Sequence, residues 1–357
     1  MSRRPLLAKL ALAGLSIALT VVLLEVVVRV VAPQPIDYFT YEKNPAPGSE
    51  IEKWGVPIRY NSTGHRDSEY PRSKPADTYR IALIGDSIEF GTGVLMAESY
   101  GKIVERELNA REESAQDFEV LVFSQGGDEP SGYLEMMRDE AVPFSPDLVL
   151  IGLTLNDFER PTYIPTTREY LYALLAEAHQ QLRVRSHLYF LLIERSRDSL
   201  YRTGVLDRSV RHKYFLDGLE TKGQAFESAW AYTQTVLDDI IAQAEAMGAR
   251  VGFVVFPYEM QLSQDLLELY RDTYGYDMSE RVLEARPQAL LAKWAQERNV
   301  AFLDFTPIFR ENSAQGLYFR EFGGSLDYVH PNASGHRLAG EQLVGWLRER
   351  RLAGAQS

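Results

Sequence analysis

Short apolar runs alternate with helical patterns over most of the chain. The runs RIALIG (ending at Gly85), FEVLVFS (Phe118 to Ser124) and PDLVLIGLTL (Pro146 to Leu155) are rich in Val, Ile and Leu. ARVGFVVFP and VAFLDFTPIF continue the series towards the C-terminus. Between them Glu98 to Asn109, SGYLEMMRDEAV and most of Thr166 to Ala246 carry helical periodicity, with a charged, ambiguous middle from Arg195 to Lys222. ASGHRLAGEQLVGWLRERR closes the pattern as an amphipathic helix. Unbroken apolar runs of this length are strands buried on both faces. Their alternation with helices predicts an α/β domain, a three-layer α/β/α sandwich around a central parallel sheet.

The N-terminus follows another rule. Arg3, Arg4 and Lys9 precede the uninterrupted run Leu10 to Leu24, which continues to Ala32 with only Glu25 and Arg29 as charges. Fifteen clean residues are too few to span a bilayer, but the run counted to Ala32 is long enough. Glu25 and Arg29, four apart, share a helix face and can pair. The reading is an uncleaved signal anchor, with a cleaved signal peptide as the competing one. The basic flank keeps the N-terminus inside, so the chain is expected to be a single-pass protein of the cytoplasmic membrane with its bulk exported. Three parts are expected: 1–32 as the anchor, 33–79 as a Pro-, Gly- and Ser-rich juxtamembrane lead-in, and 80–350 as the catalytic domain. Gly204 to Gly223 reads as a surface insertion.

Composition narrows the chemistry. The formal net charge is −12. The first 32 residues carry four basic side chains and one acidic, which leaves about −15 on the remainder. Such a surface repels phosphate backbones, so nucleic acid is not an expected partner. Cysteine is absent, which removes disulfides and thiol catalysis. His65, His179, His187 and His212 lack metal-ligand spacing, and no metal or other cofactor is expected.

The segment IALIGDSIEFGTGV places Asp86 and Ser87 where an apolar strand runs out. Ligands of open α/β sheets bind at the carboxyl ends of the strands. Ser and Asp also cap helices, so the pair alone is a weak signal. No Lys follows Gly93 to make a phosphate loop, and Gly91-Thr-Gly93 lacks the third glycine of a dinucleotide loop. Ile88 and Glu89 exclude the nucleophile elbow of α/β-hydrolases. Far downstream, SLDYVHPNASGH sets Asp327 three residues before His330, read as a loop ahead of the last helix. A serine becomes nucleophilic when an imidazole takes its proton, and the imidazole needs a carboxylate to fix its tautomer. Two further strand ends offer donors for an oxyanion: Gly126 and Gly127 in FSQGGDEP, and the Asn156 side chain in LTLNDF.

These blocks resemble the SGNH hydrolases of the GDSL esterase superfamily. GDS at Gly85 to Ser87 and DYVHPN at Asp327 to Asn332 carry the resemblance, which covers roughly Ile81 to Trp346. The lead-in YNSTGHRDSEYP is similar to that of membrane-anchored bacterial members. The resemblance implies a flavodoxin-like fold, with Ser87 as nucleophile, His330 as base and Asp327 as its orienting acid. It implies an oxyanion hole of the Ser87 N–H, the Gly126 N–H and the Asn156 side chain. The glycine block reads Ser124-Gln-Gly126 where Asn-x-Gly is usual, and three residues separate Gly152 from Asn156 where one is usual.

The expected function is a membrane-anchored serine esterase acting on carboxylic esters, such as acylated glycans or lipid esters. An O-acyltransferase using the same residues is the alternative enzyme, and a non-catalytic envelope scaffold is the alternative of another class. Glu89 is expected to be a solvated carboxylate, with tuning of His330 or contact with substrate as the other options. His336 is assigned to packing or capping. The aromatic residues from Tyr163 to Phe190 are assigned to the core, with an acyl-binding cleft as the other option.

Overall fold

The computed structural model describes residues 4–34, 36, 45–110, 116–158, 178, 181–196, 199, 219, 221, 223–273, 276, 278–322 and 325–354. His179, His212, the aromatic run from Tyr163 onwards as far as residue 177, and nearly all of the Arg195 to Lys222 stretch lie outside them. The chain divides into two compact units. One holds Met1–Thr40 and Ile164–Leu206; the other holds Tyr41–Tyr163 and Asp207–Ser357.

The larger unit is built on five parallel strands: β3 (Thr78–Gly85), β4 (Asp117–Ser124), β5 (Leu148–Leu153), β6 (Arg250–Val255) and β7 (Ala301–Asp304). β1 (Glu50–Lys53) and β2 (Val56–Arg59) form a small antiparallel hairpin ahead of them. The sheet order is β4-β3-β5-β6-β7, the doubly wound order in which the connections switch direction between β3 and β5. Alternate residues of each strand enter two cores. Ala82, Ile84, Val149, Ile151 and Phe253 pack under α4 (Pro130–Met136), α5 (Gly223–Ala246) and α7 (Arg286–Glu297). There Trp294 meets Phe253 edge-on. Ile81, Leu83, Val120, Leu150 and Val254 pack on the other side with α3 (Tyr100–Asn109), α8 (Thr306–Glu311) and α9 (Ala333–Glu349). The remaining elements are the short α2 (Ser87–Phe90), α6 (Gln264–Asp272) and the antiparallel pair β8 (Tyr318–Phe322) and β9 (Ser325–Pro331).

Two readings change. VAFLDFTPIF is a strand only from Ala301 to Asp304, because Pro307 in the first turn starts α8. The Asp327-to-His330 stretch is not a loop; β9 pairs with β8 across it.

The lead-in from residue 45 onwards is built into the larger unit. β4 is an edge strand, and Asp67 covers its exposed backbone by accepting the Val122 N–H at 2.7 Å. The Asp67 carboxylate is buried beside the ammonium of Lys102. Lys102 also donates to Tyr70 at 2.8 Å and to Glu105 at 3.1 Å. Burial pushes the Asp67 carboxyl up, and Lys102 works against that shift. Arg80, fully buried, pairs with Glu119 and donates to the carbonyls of Pro71, Arg72 and Phe144.

The smaller unit contains α1 (Arg4–Val31) and the segment 181–196. Over Ala8–Val31 the helix has a mean hydropathy of 2.5 and none of it is buried, so by length and composition it is able to cross a membrane.

Removing one partner of a buried ion pair strands the other charge. Lys102→Met is therefore expected to cost about 3–5 kcal/mol in urea denaturation. Lys102→Met combined with Asp67→Asn should recover much of that loss. A single variant within 1 kcal/mol of the parent (roughly the worth of an exposed pair) would show that this pair does not hold the lead-in.

Candidate active site

Ser87 is the first residue of α2, directly after β3. Asp86 caps the helix: its Oδ1 accepts the Ile88 N–H, and the Glu89 carboxyl accepts the Asp86 N–H in return. This reciprocal capping box holds a helix of only four residues. Gly91 ends it at φ +75°, in the left-handed region that suits glycine. Arg66 of the lead-in, 3% exposed, donates to the carbonyls of Phe90, Gly91 and Val94 at 2.9, 2.6 and 2.7 Å. Burial lowers its pKa to about 10. The turn bearing Ser87 is thus fixed at both ends.

β9 brings His330 to that turn. Its Nε2 lies 2.8 Å from Ser87 Oγ, and its Nδ1 lies 2.7 Å from Asp327 Oδ2. A carboxylate only accepts, so the proton of the neutral ring sits on Nδ1 and Nε2 is free to receive the serine proton. Asp327 Oδ1 accepts the N–H groups of Val329 and His330, both at 3.0 Å, which locks the carboxylate on its own strand. Burial disfavours the charged imidazole, but Asp327, helped by Asp86, outweighs it and raises the His330 pKa above its ordinary value.

The other two predicted residues follow the neighbouring strand ends. Asn156, after β5, is exposed. Its Oδ1 accepts the Tyr258 hydroxyl at 3.0 Å and the Thr154 hydroxyl, and its Nδ2 donates to Asp86 Oδ2 at 3.3 Å. These contacts fix the orientation of the amide and join it to the Ser87 turn. Gly126, after β4, is half-buried, and the Gln125 N–H before it donates to Gly85 O at 3.3 Å. His330 joins Ser87 to Asp327; Asn156 reaches the same turn through Asp86, and Gln125, next to Gly126, reaches it through Gly85.

Glu89 departs from expectation. It is 2% exposed rather than solvated. Its carboxyl fills the space that Gly85 and Gly152 leave open between β3 and β5. A Cβ on Gly85 or Gly152 would come within 2.2 or 1.9 Å of its oxygens. Tyr100 donates to Glu89 Oε1 at 2.5 Å. Burial and then the Asp86 charge push the Glu89 pKa up to about 8. Asp157, also buried, accepts from Tyr133 at 2.8 Å and from the Thr154 N–H at 2.6 Å. Its pKa is raised by burial and by Asp86. The signals in the sequence were the D-x-x-E capping box and a glycine in each of two strands. His336 packs as read: it accepts the Tyr100 N–H at 3.3 Å, and burial lowers its pKa to about 3. Among the described residues no group of three or more His, Asp or Glu is arranged to hold a metal ion.

Residues 83–338 match the GDSL-like Lipase/Acylhydrolase family. Similar solved structures include TesA, 16% identical with a TM-score of 0.42, covering 76% of this chain and 98% of that one. The acetyl xylan esterase AlAXEase is 13% identical with a TM-score of 0.43, covering 74% and 98%. A catalytic mutant of Axe2, an acetylxylan esterase from Geobacillus stearothermophilus, is 16% identical with a TM-score of 0.42, covering 76% and 93%. No curated protein matches the chain.

A raised carboxyl pKa has a definite sign in folding. The folded protein keeps the Glu89 proton up to about pH 8, whereas the unfolded chain releases it near 4.5, so stability declines as pH rises through that window. Glu89→Gln should make this decline shallower in urea unfolding followed across the same range. Parallel stability curves for the two proteins would show that Glu89 does not titrate there.

Proposed function

This chain belongs to the GDSL-like lipase/acylhydrolase family and is an ester-hydrolysing enzyme, and we propose that it works through Ser87, His330 and Asp327. The observation that carries this reading is the imidazole of His330, bonded on one side to Ser87 Oγ and on the other to Asp327.

In this reading Ser87 Oγ attacks the ester carbonyl carbon as its proton passes to His330 Nε2. Asp327 stabilises the imidazolium that results. The oxyanion is received by the N–H groups of Ser87 and Gly126 and by Asn156 Nδ2. Asn156 Nδ2 carries two hydrogens, and one is engaged by Asp86, which leaves the second for substrate. Collapse of the intermediate breaks the ester C–O bond, and His330 returns its proton to the departing alcohol. Water then attacks the acyl group on Ser87, with His330 again taking the proton, and the carboxylic acid leaves. The substrates are carboxylic esters.

The anchor belongs to the same proposal. At 1.5 Å per residue a helix over Ala8–Val31 is about 36 Å long, more than the roughly 30 Å of a bilayer's hydrocarbon core. With basic residues before it, the catalytic domain lies on the exported side of the cytoplasmic membrane. Residues 33–79 act as the lead-in and 80–350 as the hydrolase domain.

Ser87→Ala should lower kcat/KM for p-nitrophenyl acetate by a factor on the order of 10⁴ to 10⁶ with an unchanged melting temperature. Full activity in that variant would remove Ser87 from the mechanism. Supplying oligosaccharide acceptors should leave free acid as the product; acylated sugar formed at its expense would assign transfer instead.

His330 must be neutral to accept the proton, so kcat/KM should rise with pH through a value above the ordinary 6.5. Asp327→Asn should reduce the rate by about 10⁴ and move that acid limb downwards. An acid limb unmoved by this substitution would mean that another group sets it.

A further inference from the structure

The smaller unit poses a problem that the anchor alone does not solve. Leu10 to Leu24 gives about 22 Å of apolar helix, short of the roughly 30 Å hydrocarbon core, so Glu25 falls inside its outer margin. An ionised carboxylate there is costly unless it is paired and hydrogen-bonded.

The segment 181–196 supplies the partners. Glu25 accepts the Ser186 hydroxyl at 2.7 Å, the His187 N–H at 3.0 Å and the Leu188 N–H at 2.9 Å. Arg29 donates to Glu25 at 3.0 Å and to the Arg185 carbonyl at 2.9 Å. The Gln34 N–H donates to His187 Nδ1 at 2.7 Å. Ser186 caps the helix of 187–195, accepting the Tyr189 N–H at 3.0 Å. A membrane-level carboxylate therefore takes the free N–H groups of a helix that begins 162 residues later, and holds that helix at its own depth.

Large apolar side chains stand exposed on that helix and just before it. Leu182, Leu192 and Ile193 are 47%, 56% and 40% exposed. Outside α1, Leu95 is the one other exposed large apolar side chain reported among the described residues. Three such side chains within one short segment are unusual for a soluble surface. The sequence of 181–196 also carries three arginines against one glutamate in a protein whose net charge is −12. Apolar side chains with flanking arginines are the composition of a segment lying in a lipid interface.

We propose that residues 181–196 form a second element of the membrane anchor, an interfacial segment whose Leu192 and Ile193, on the helix of 187–195, and Leu182, just before it, enter the lipid beside the outer end of α1. The proposal rests on α1 being membrane-inserted. Arg183, Arg185 and Arg195 supply cationic contact to the phosphate headgroups, and Glu25 is the bond between the two elements.

The absence of cysteine makes the test direct. Leu192→Cys and, as a control in the larger unit, Leu95→Cys are each labelled with a nitrobenzoxadiazole dye in the full chain. Each is reconstituted at high lipid excess in phosphatidylcholine and phosphatidylglycerol vesicles. The dye at 192 should lose most of its emission to doxyl-labelled lipid and resist aqueous dithionite; the dye at 95 should do the reverse. Adding Glu25→Ala should leave the chain floating with vesicles while opening position 192 to dithionite. Vesicle-bound protein with both dyes equally open to dithionite would overturn the interfacial helix alone. Self-quenching at 192 that persists on dilution into more lipid would assign the face to a second copy of the chain. Protein that fails to float with vesicles would overturn the anchor and the interfacial helix together.

Discussion

A carboxyl group buried between two strands holds the turn on which Ser87 stands. Glu89 enters the gap left by Gly85 and Gly152, accepts the N–H of Asp86 and is fastened by Tyr100. Any side chain at either glycine would expel it, and a Glu89 that ionised without relief would sit against Asp86. Both demands are met by keeping the group protonated, which its raised pKa does. The chain thus tolerates an acidic cluster under Ser87 because burial and like charge suppress the ionisation.

From that centre the supports run outwards in two directions. Towards the sheet, Asp86 is tied to Asn156, and Asn156 to Tyr258, so the ends of β3, β5 and β6 share one polar network. Towards the N-terminus, Arg66 clamps the carbonyls beyond the helix while its neighbour Asp67 covers the edge of β4. Consecutive residues of the lead-in therefore stabilise the Ser87 turn and the sheet edge at once. His330 needs less support, because Asp327 orients it from the same strand.

The parts legible in the sequence were those carried by local pattern. Parallel strands inside an α/β sandwich leave unbroken apolar runs, so all five sheet strands are legible, the half-buried β7 included, as are the serine after β3 and the Asp-x-x-His pair. β7 was read too long because Phe305, Pro307 and Phe309 extend the apolar run after the backbone has turned into α8. Asp327 and His330 were assigned to a loop because β8 and β9 are short and mixed in polarity. Glu89 looked like a surface acid because the two glycines that make room for it lie on different strands. The distant donors to Glu25 are hidden for a similar reason: two of them, at His187 and Leu188, are ordinary backbone N–H groups, which leave no signature in side-chain identity.

The chain leaves the larger unit after β5, contributes residues 164–206 to the smaller one, and returns for β6 and β7. This route imposes an order on synthesis. α1 emerges first, yet the groups that satisfy Glu25 follow more than 160 residues later. Closing so long a loop is slow compared with forming a helix or a hairpin. During that interval a new chain holds an incompletely partnered acid and a sheet that lacks two of its five strands. The same crossing that delays completion couples it: residues 164–206 connect the two halves of the larger unit, so assembling the smaller unit shortens the search by which the last strands find the sheet.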